Sequence, residues 1–425
     1  MTIILIILFA LILAFLGVPL FVVLGGLAII FFFLAGIDIS AVIIEMVRIA
    51  TSPVLITIPL FTFAGYLMAE SGTPKRMINF VNSLIGWLRG GVAIVAIVAS
   101  TFFTAFTGAT GVTIIALGGL LFSMLLNERY TEKASLGIIT SAGTMGVLFP
   151  PSIAIILYGL IAKVSIAKLF IAGILPGIIL TLIISGLAIF NSPGKIERKK
   201  LSFKEIMIAT KNVIWELPLP FLVLWGIYSG KFTAAEAAII TAAYAFFVEI
   251  FIYKDISIKK DLPRIIRASV VLTGGIFIIL GTALGLTNYL IDQQVPMKMF
   301  EWIKMHIGNK IVFLILLNIF LIIVGCLMDI FSAIIVVVPL IVPVAQNFGI
   351  DPVHLGIIFL TNLGIGYLTP PVGLNLFIAS FRFRKPVLTL YGSVFPYLLA
   401  LFIGLILITY IPSISLHLID FLGVK

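Results

Sequence analysis

Residues 355–373 read LGIIFLTNLGIGYLTPPVG, and residues 136–152 read LGIITSAGTMGVLFPPS. Both stretches open with Leu-Gly-Ile-Ile, pass through a polar, glycine-containing middle and close on Pro-Pro. Each lies deep inside a long apolar segment, where a membrane helix should run unbroken. Proline removes an amide donor and frees a carbonyl one turn earlier. Glycine allows backbone to approach closely. Lipid cannot satisfy the freed groups, so such backbone persists only where it lines a polar site or is buried in protein. Paired breaks in corresponding halves of a chain point to a transporter with its binding site at mid-membrane.

Composition agrees. Of 425 residues, 62% are hydrophobic and 10% charged, whereas a soluble domain is about half apolar and a quarter charged. The apolar runs are continuous and close to the ~20 residues a helix needs to cross a bilayer. They lack the alternation of barrel strands. The expected fold class is an all-α polytopic membrane protein. Ile3 to Leu34 reads as two spans meeting at Gly17-Val18-Pro19, and with no Lys or Arg before Arg48 there is no basic region of a secretory signal. Cys326 is the only cysteine, which excludes an intramolecular disulfide. The net charge of +10 reads as cations held on the cytoplasmic side, not as a nucleic-acid surface.

The clearest interruption is Asn191–Asn212, with Pro193-Gly194 and the cations Lys195, Arg198, Lys199, Lys200, Lys204 and Lys211. A second basic loop carries Lys254, Lys259, Lys260, Arg264 and Arg267. Two spans, Ile214–Tyr228 and Ala234–Phe251, separate these loops and place them on one face. Continued parity adds Lys75, Arg76, Arg89, Arg129, Lys133, Arg382, Arg384 and Lys385, for 19 of the 27 cations. That face is expected to be cytoplasmic, and both termini periplasmic or external.

The chain divides into a first repeat at 1–191, a basic cytoplasmic linker at 192–212 and a second repeat at 213–425. Each repeat contains an amphipathic helix expected to lie in the interface plane, Pro74–Leu88 and Pro296–Ile307, with a Trp beside Lys or Arg. Each then has a re-entrant hairpin, at about 90–127 and about 309–346. The expected hairpin tips are Thr104–Thr113 and Gly325–Ser332. A broken helix follows, at about 133–163 and about 352–381. By parity the first hairpin enters from the cytoplasm and the second from outside, so the repeats are expected to be inverted. The Leu-Gly-Ile-Ile copies lie 219 residues apart and the Pro-Pro pairs 220, a difference of one residue.

No catalytic constellation is visible. His306, His354 and His417 lack metal-ligand companions. No phosphate-cradling glycine loop precedes a Lys, and no Ser stands with a His base in the intramembrane motifs. The motifs offer oxygen instead. Freed carbonyls and Thr or Ser hydroxyls can replace the water shell of a small cation. At the first break the candidates are Thr104, Thr107 and Gly108 from the hairpin tip, facing Gly146, Phe149 and Pro150. At the second they are Gly325 and Asp329, facing Gly366, Thr369 and Val372. Asp329 reads equally as an intramembrane functional carboxylate or as a helix cap. Glu236 reads as the opening of a helix, near its positive end. Thr110, Ser152, Asn362 and Asn375 are the candidates for holding an organic anion, beside helix N-termini that favour carboxylates. Asn375 could equally bond a neighbouring helix.

Five segments resemble the large membrane subunit of tripartite ATP-independent periplasmic (TRAP) transporters: Phe106–Gly118, Leu148–Gly159, Ile166–Gly177, Tyr228–Ala238 and Thr361–Phe377. The resemblance runs over essentially the whole chain. It implies import of an organic acid, such as a C4-dicarboxylate or sialic acid, coupled to two or more Na+ ions. It also implies delivery by a periplasmic binding protein, a separate small four-helix membrane subunit, and residence in the bacterial inner membrane. The family moves a transport domain, holding both hairpins and both broken helices, against a scaffold in an elevator motion. Its sodium sites fall on the two clusters above. Gly325, Gly366 and Thr369 match well. The first cluster departs, because family members often carry Ser where Thr104, Thr107 and Ala109 stand, and Ala109 has no hydroxyl. The alternative is a partner-independent sodium-coupled anion transporter or antiporter of the same superfamily. A channel or an intramembrane enzyme is a further reading.

Overall fold

The computed structural model describes residues 2–50, 53–192 and 201–423. Helices account for all the regular structure among them. Seven are long and apolar enough to cross a membrane, or up to ten spans if each bent pair counts as one.

The first helices, α1 (Thr2–Phe15) and α2 (Leu20–Leu34), are separated where Gly17 adopts φ +87° ahead of Pro19. They have 14 and 15 residues, so at about 1.5 Å per residue neither reaches the ~30 Å of a hydrocarbon core. The two spans expected there are therefore short helices. After α3 (Ser40–Ala50) and a 3-10 turn at Pro53–Ile56 comes α4 (Thr57–Glu70). The chain then turns by 74° into α5 (Thr73–Ile85). Ser71 is extended at that corner, and Pro74 opens the new helix. Helix α5 buries Met77, Ile78 and Val81 on one face and leaves Trp87, just beyond it, exposed. This is the amphipathic segment expected in the interface plane.

A hairpin follows, α6 (Gly91–Thr107) and α7 (Thr110–Asn127), turning at Gly108 with φ +67°. Helix α8 (Glu132–Ala142) starts on the Thr131 hydroxyl, tightens into a 3-10 turn at Gly143–Leu148, and goes extended at Phe149. It resumes as α9 (Ile153–Ala162) after a bend of 43°. The long α10 (Ile166–Phe190) closes this half.

The linker residues 193–200, including Pro193, Gly194, Lys195, Arg198, Lys199 and Lys200, lie outside the described residues. The rest of the expected linker is α11 (Phe203–Val213), which bends by 64° into α12 (Pro218–Tyr228). The span expected at Ile214–Tyr228 is thus one limb of a bent pair. Pro218 and Pro220 explain this, since a helix seldom continues into the residue before a proline. Next comes α13 (Ala234–Phe247), opened by a capping box between Thr233 and Glu236, the role read for Glu236. It winds on through a π-turn at Val248–Ile252. Helix α14 (Leu262–Asp292) packs against α2, α3 and α4.

The element order then repeats. An amphipathic α15 (Val295–His306) precedes a hairpin of α16 (Lys310–Leu327) and α17 (Ile330–Asn347). A helix broken into α18 (Pro352–Gly366) and α19 (Leu374–Phe383) follows, then a long α20 (Val387–Tyr410) and a short α21 (Ser413–Leu422). The two halves interlock. Helix α7 packs on α19, and α17 packs on α9, so the second arm of each hairpin lies against the second limb of the other half's broken helix. Within each half, α6 packs on the 3-10 turn and α16 on α18.

Helix α10 seals the first break: a Cβ at Gly173 would lie 2.1 Å from the Leu148 carbonyl oxygen. Gly173→Val is therefore expected to lower the thermal unfolding midpoint of the purified protein, with an overpacking cost of about 1–3 kcal/mol. An unchanged midpoint would show that α10 does not seat on the break.

Candidate functional site

Each break is held by backbone of its own hairpin. A Cβ at Gly366 would sit 2.6 Å from the Gly325 carbonyl carbon, and one at Gly325 would sit 2.8 Å from the Leu363 Cα. At the first break, a Cβ on Gly146 would sit 2.4 Å from the Thr101 carbonyl oxygen and 2.5 Å from the Thr104 Cβ. Only glycine permits approaches this close. The two breaks also meet each other, with Gly364 lying against the Thr144 carbonyl and side chain. Both Pro-Pro bonds, Pro150–Pro151 and Pro370–Pro371, are cis.

In the first cluster the Thr104 and Thr113 hydroxyls lie 2.6 Å apart, and the Thr107 hydroxyl donates weakly to the Ala109 carbonyl at 3.4 Å. The Gly146 carbonyl accepts from the Phe149 amide at 3.1 Å, and the Thr104 carbonyl from the Gly108 amide at 2.8 Å. A carbonyl has two lone pairs, so each keeps capacity for a second partner. The set is uncharged oxygen from Thr104, Thr107, Gly108, Gly146, Phe149 and Pro150.

In the second cluster the Thr369 amide donates to the Gly366 carbonyl at 3.0 Å, and its hydroxyl donates to Ile365 O at 2.9 Å. Hairpin and break are stapled through Cys326. Its thiol donates to the Thr369 carbonyl at 3.1 Å, and its carbonyl accepts from the Gly373 amide at 3.2 Å. Beyond the placement of Cys326 beside Gly325, nothing in the residue pattern points to this role. Asp329 is the N-cap of α17: its carboxylate accepts from the Phe331 and Ser332 amides at 3.0 Å and from the Ser332 hydroxyl. Of its two readings, the geometry is that of the cap. Beside it the Tyr367 hydroxyl accepts from the Ile330 amide. Val372 is 40% exposed, and Pro370 and Pro371 are exposed with it, whereas Pro150, Pro151 and Ser152 are buried.

Three helix N-termini meet near the first hairpin tip. Ile153, opening α9, lies against Gly108, and Ile378 of α19 lies against Gly111 of α7. Thr110, at the start of α7, donates to the Asn375 side-chain oxygen at 2.6 Å. The Asn375 amide nitrogen and the Ser152 hydroxyl are buried without a partner among the described residues. A buried donor left unpaired costs about 1–3 kcal/mol, and both stand where helix N-termini favour negative charge. Thr110, Ser152 and Asn375 are thus brought to one region.

The Asn362 side-chain oxygen is also buried without a partner among the described residues, while its amide nitrogen is engaged on another helix. That amide donates to Asn318 on α16 and to Ile358 O, both at 2.8 Å. Asn318 in turn reaches the Thr409 hydroxyl on α20 at 3.3 Å. Asn362 therefore joins a buried polar cluster tying α16, α18 and α20. Among the described residues no group of three or more His, Cys, Asp or Glu could hold a metal ion.

Comparison with known proteins identifies the family of the chain. Residues 5–414 match the family model described as "Tripartite ATP-independent periplasmic transporter, DctM component". The chain is 34% identical to the C4-dicarboxylate TRAP transporter large permease protein DctM of Pseudomonas aeruginosa, over 91% of each chain. It is 31% identical to the sialic acid TRAP transporter permease protein SiaT of Haemophilus influenzae, covering 85% of this chain and 59% of that one. These relatives are transporter permeases, not enzymes. The fold is similar to the crystal structure of the Alcanivorax borkumensis YdaH transporter, with a TM-score of 0.64 at 14% identity and 89% of each chain covered. The chain belongs to the large membrane subunits of the TRAP transporters, the DctM component family.

Proposed function

We propose that this large permease subunit imports an organic acid across the bacterial inner membrane, driven by two or more sodium ions. The observation that carries the reading is the pairing of two glycine-seated helix breaks around a region with unpaired buried donors. In this reading Thr110, Ser152 and Asn375 receive the carboxylate, supported by the N-terminal ends of α7, α9 and α19. C4-dicarboxylates, sialic acid and isethionate, named for its relatives, are all anions that such donors suit. The tripartite description of the family supports two partners, a small membrane subunit and a periplasmic substrate-binding protein.

Sodium is cargo here, and the residues fit it. Hard cations take oxygen ligands, and both clusters supply carbonyls and hydroxyls with a lone pair to spare. The first site would use Thr104, Thr107, Gly108, Gly146, Phe149 and Pro150. The second would use Gly325, Gly366, Thr369 and Val372, with Asp329 holding the N-terminus of α17 in register. Because hairpins and breaks interlock, they would move as one transport body against a scaffold, with the halves inverted in the membrane.

Reconstitution with both partners tests the coupling. Dicarboxylate or sialic acid uptake is expected to require an inward sodium gradient, and uptake indifferent to sodium would remove the coupling. Thr369→Ala deletes one hydroxyl ligand worth about 1 kcal/mol and is expected to raise the half-saturating sodium concentration roughly fivefold. Asn375→Leu removes the unpaired donor and the acceptor for Thr110. It is expected to cost uptake at limiting substrate by about tenfold or more, while the thermal midpoint shifts by only a few degrees. Unaltered substrate dependence would take Asn375 out of the substrate site.

A further inference from the structure

The corner between α4 and α5 holds a cluster of buried charge that the transport reading does not use. Arg76, on α5, binds three carboxylates: Glu216 at 2.5 Å, Glu249 at 3.1 Å and Asp255 at 2.6 Å. Glu216 precedes α12, Glu249 lies on the π-turn after α13, and Asp255 follows that turn. Glu216 and Glu249 have side chains 0% and 1% exposed. One guanidinium cannot neutralise three carboxylates, so two negative charges would remain in excess. Burying an uncompensated charge is costly, and such groups take up a proton instead.

The hydrogen bonds point the same way. The Thr73 hydroxyl stands between two acceptors, Glu216 Oε1 at 3.2 Å and Glu249 Oε1 at 2.8 Å. The Tyr253 hydroxyl stands between two more, Glu216 Oε2 at 2.9 Å and the Asn212 carbonyl at 2.7 Å. Each hydroxyl carries one proton and can donate once. With both glutamates ionised, two of these four contacts have no hydrogen to share. A proton on Glu249 Oε1 supplies the contact to Thr73, whose own hydroxyl proton then serves Glu216 Oε1. Burial, and next the Glu216 carboxylate, raise the Tyr253 hydroxyl above its ordinary value, so it remains a donor.

We infer that Glu249 is a proton-binding site in this conformation, its Oε1–H donating to the Thr73 hydroxyl, which donates onward to Glu216 Oε1. The other groups around the pair are Arg76 and Asp255, with Tyr244 on α13 beside Glu216. Glu70 on α4 is already engaged by Arg264 of α14 at 2.7 Å. The ligand is a proton and no bond other than O–H forms or breaks. Release of that proton restores repulsion between the carboxylates at the joint of α4–α5 with α12–α13.

Infrared spectroscopy of the full-length protein in lipid nanodiscs tests this, following the carbonyl stretch of protonated carboxylic acids through a pH titration. Wild type is expected to show such a band at neutral pH and to lose it as pH rises. Glu249→Gln is expected to remove that band, and Glu216→Gln, which replaces the neighbouring carboxylate, to move its midpoint. Thr73→Val keeps both carboxylates and deletes the bridging hydroxyl, so the midpoint of the band should move. If either Gln variant fails to fold, that midpoint decides alone. Absence of the band at neutral pH, or a band indifferent to these substitutions, overturns the proposal. The thermal midpoint should also fall as pH rises through the same titration in wild type and stay flat in Glu249→Gln. Neither measurement requires transport, so the result stands apart from the sodium reading.

Discussion

The structure depends on one constraint: a helix broken inside a membrane must hand its freed backbone to something other than lipid. Here the recipient is another piece of backbone, brought close by glycine. Gly366 seats on Gly325, Gly146 on Thr101 and Thr104, and Gly173 on Leu148. The contacts bury the break, and they also put carbonyls from two different elements within reach of the same small volume. A methyl group at any of these glycines would disrupt that packing.

The interlock of the halves follows from the same contacts. Each hairpin stabilises its own break with its first arm and the other half's second limb with its second arm. Neither half encloses the candidate site alone. The Thr110–Asn375 bond joins residues from opposite halves, and Thr144 meets Gly364 where the breaks touch. A body built this way resists internal shear, which suits movement as a unit better than rearrangement within it. The two breaks still differ, with Pro370–Val372 exposed and Pro150–Ser152 buried. The pseudo-symmetry of sequence is therefore not a symmetry of access.

Much of this was legible in the residues, for a physical reason. Gly and Pro-Pro within an apolar run contradict the bilayer's demand for helix, and contradiction is a strong local signal. The helical hairpins and the breaks were readable from it. The bond from Asn362 to Asn318 was not, because the two lie 44 positions apart and a polar residue beside a break looks the same whether it faces a ligand or a neighbouring helix. The bend at Pro218 was obscured because α11 is amphipathic and resembles a linker. Arg76 is the sharpest case. Topology counting treats every Lys and Arg in a short loop as a free surface cation, yet this one is enclosed by carboxylates 140, 173 and 179 residues away. Such long-range pairing has no period or motif to announce it.

The two buried polar systems are connected by one helix. Gly65 of α4 lies against the Phe106 carbonyl and Thr107 Cα, at the tip of the first hairpin. Less than two turns later α4 ends at the corner where the Gly72 amide donates to Asp255 at 2.9 Å and Arg76 gathers its carboxylates. A contact to backbone through a glycine is stiff, because no flexible side chain intervenes to absorb a shift. A change in the angle of the α4–α5 corner therefore has to appear at Thr107 or be taken up in α4 itself, and the well-packed Phe61, Ala64, Leu67 and Met68 of that helix leave little room for the second. In this conformation the corner's ion cluster and the tip of the first hairpin are therefore packed against the same short helix.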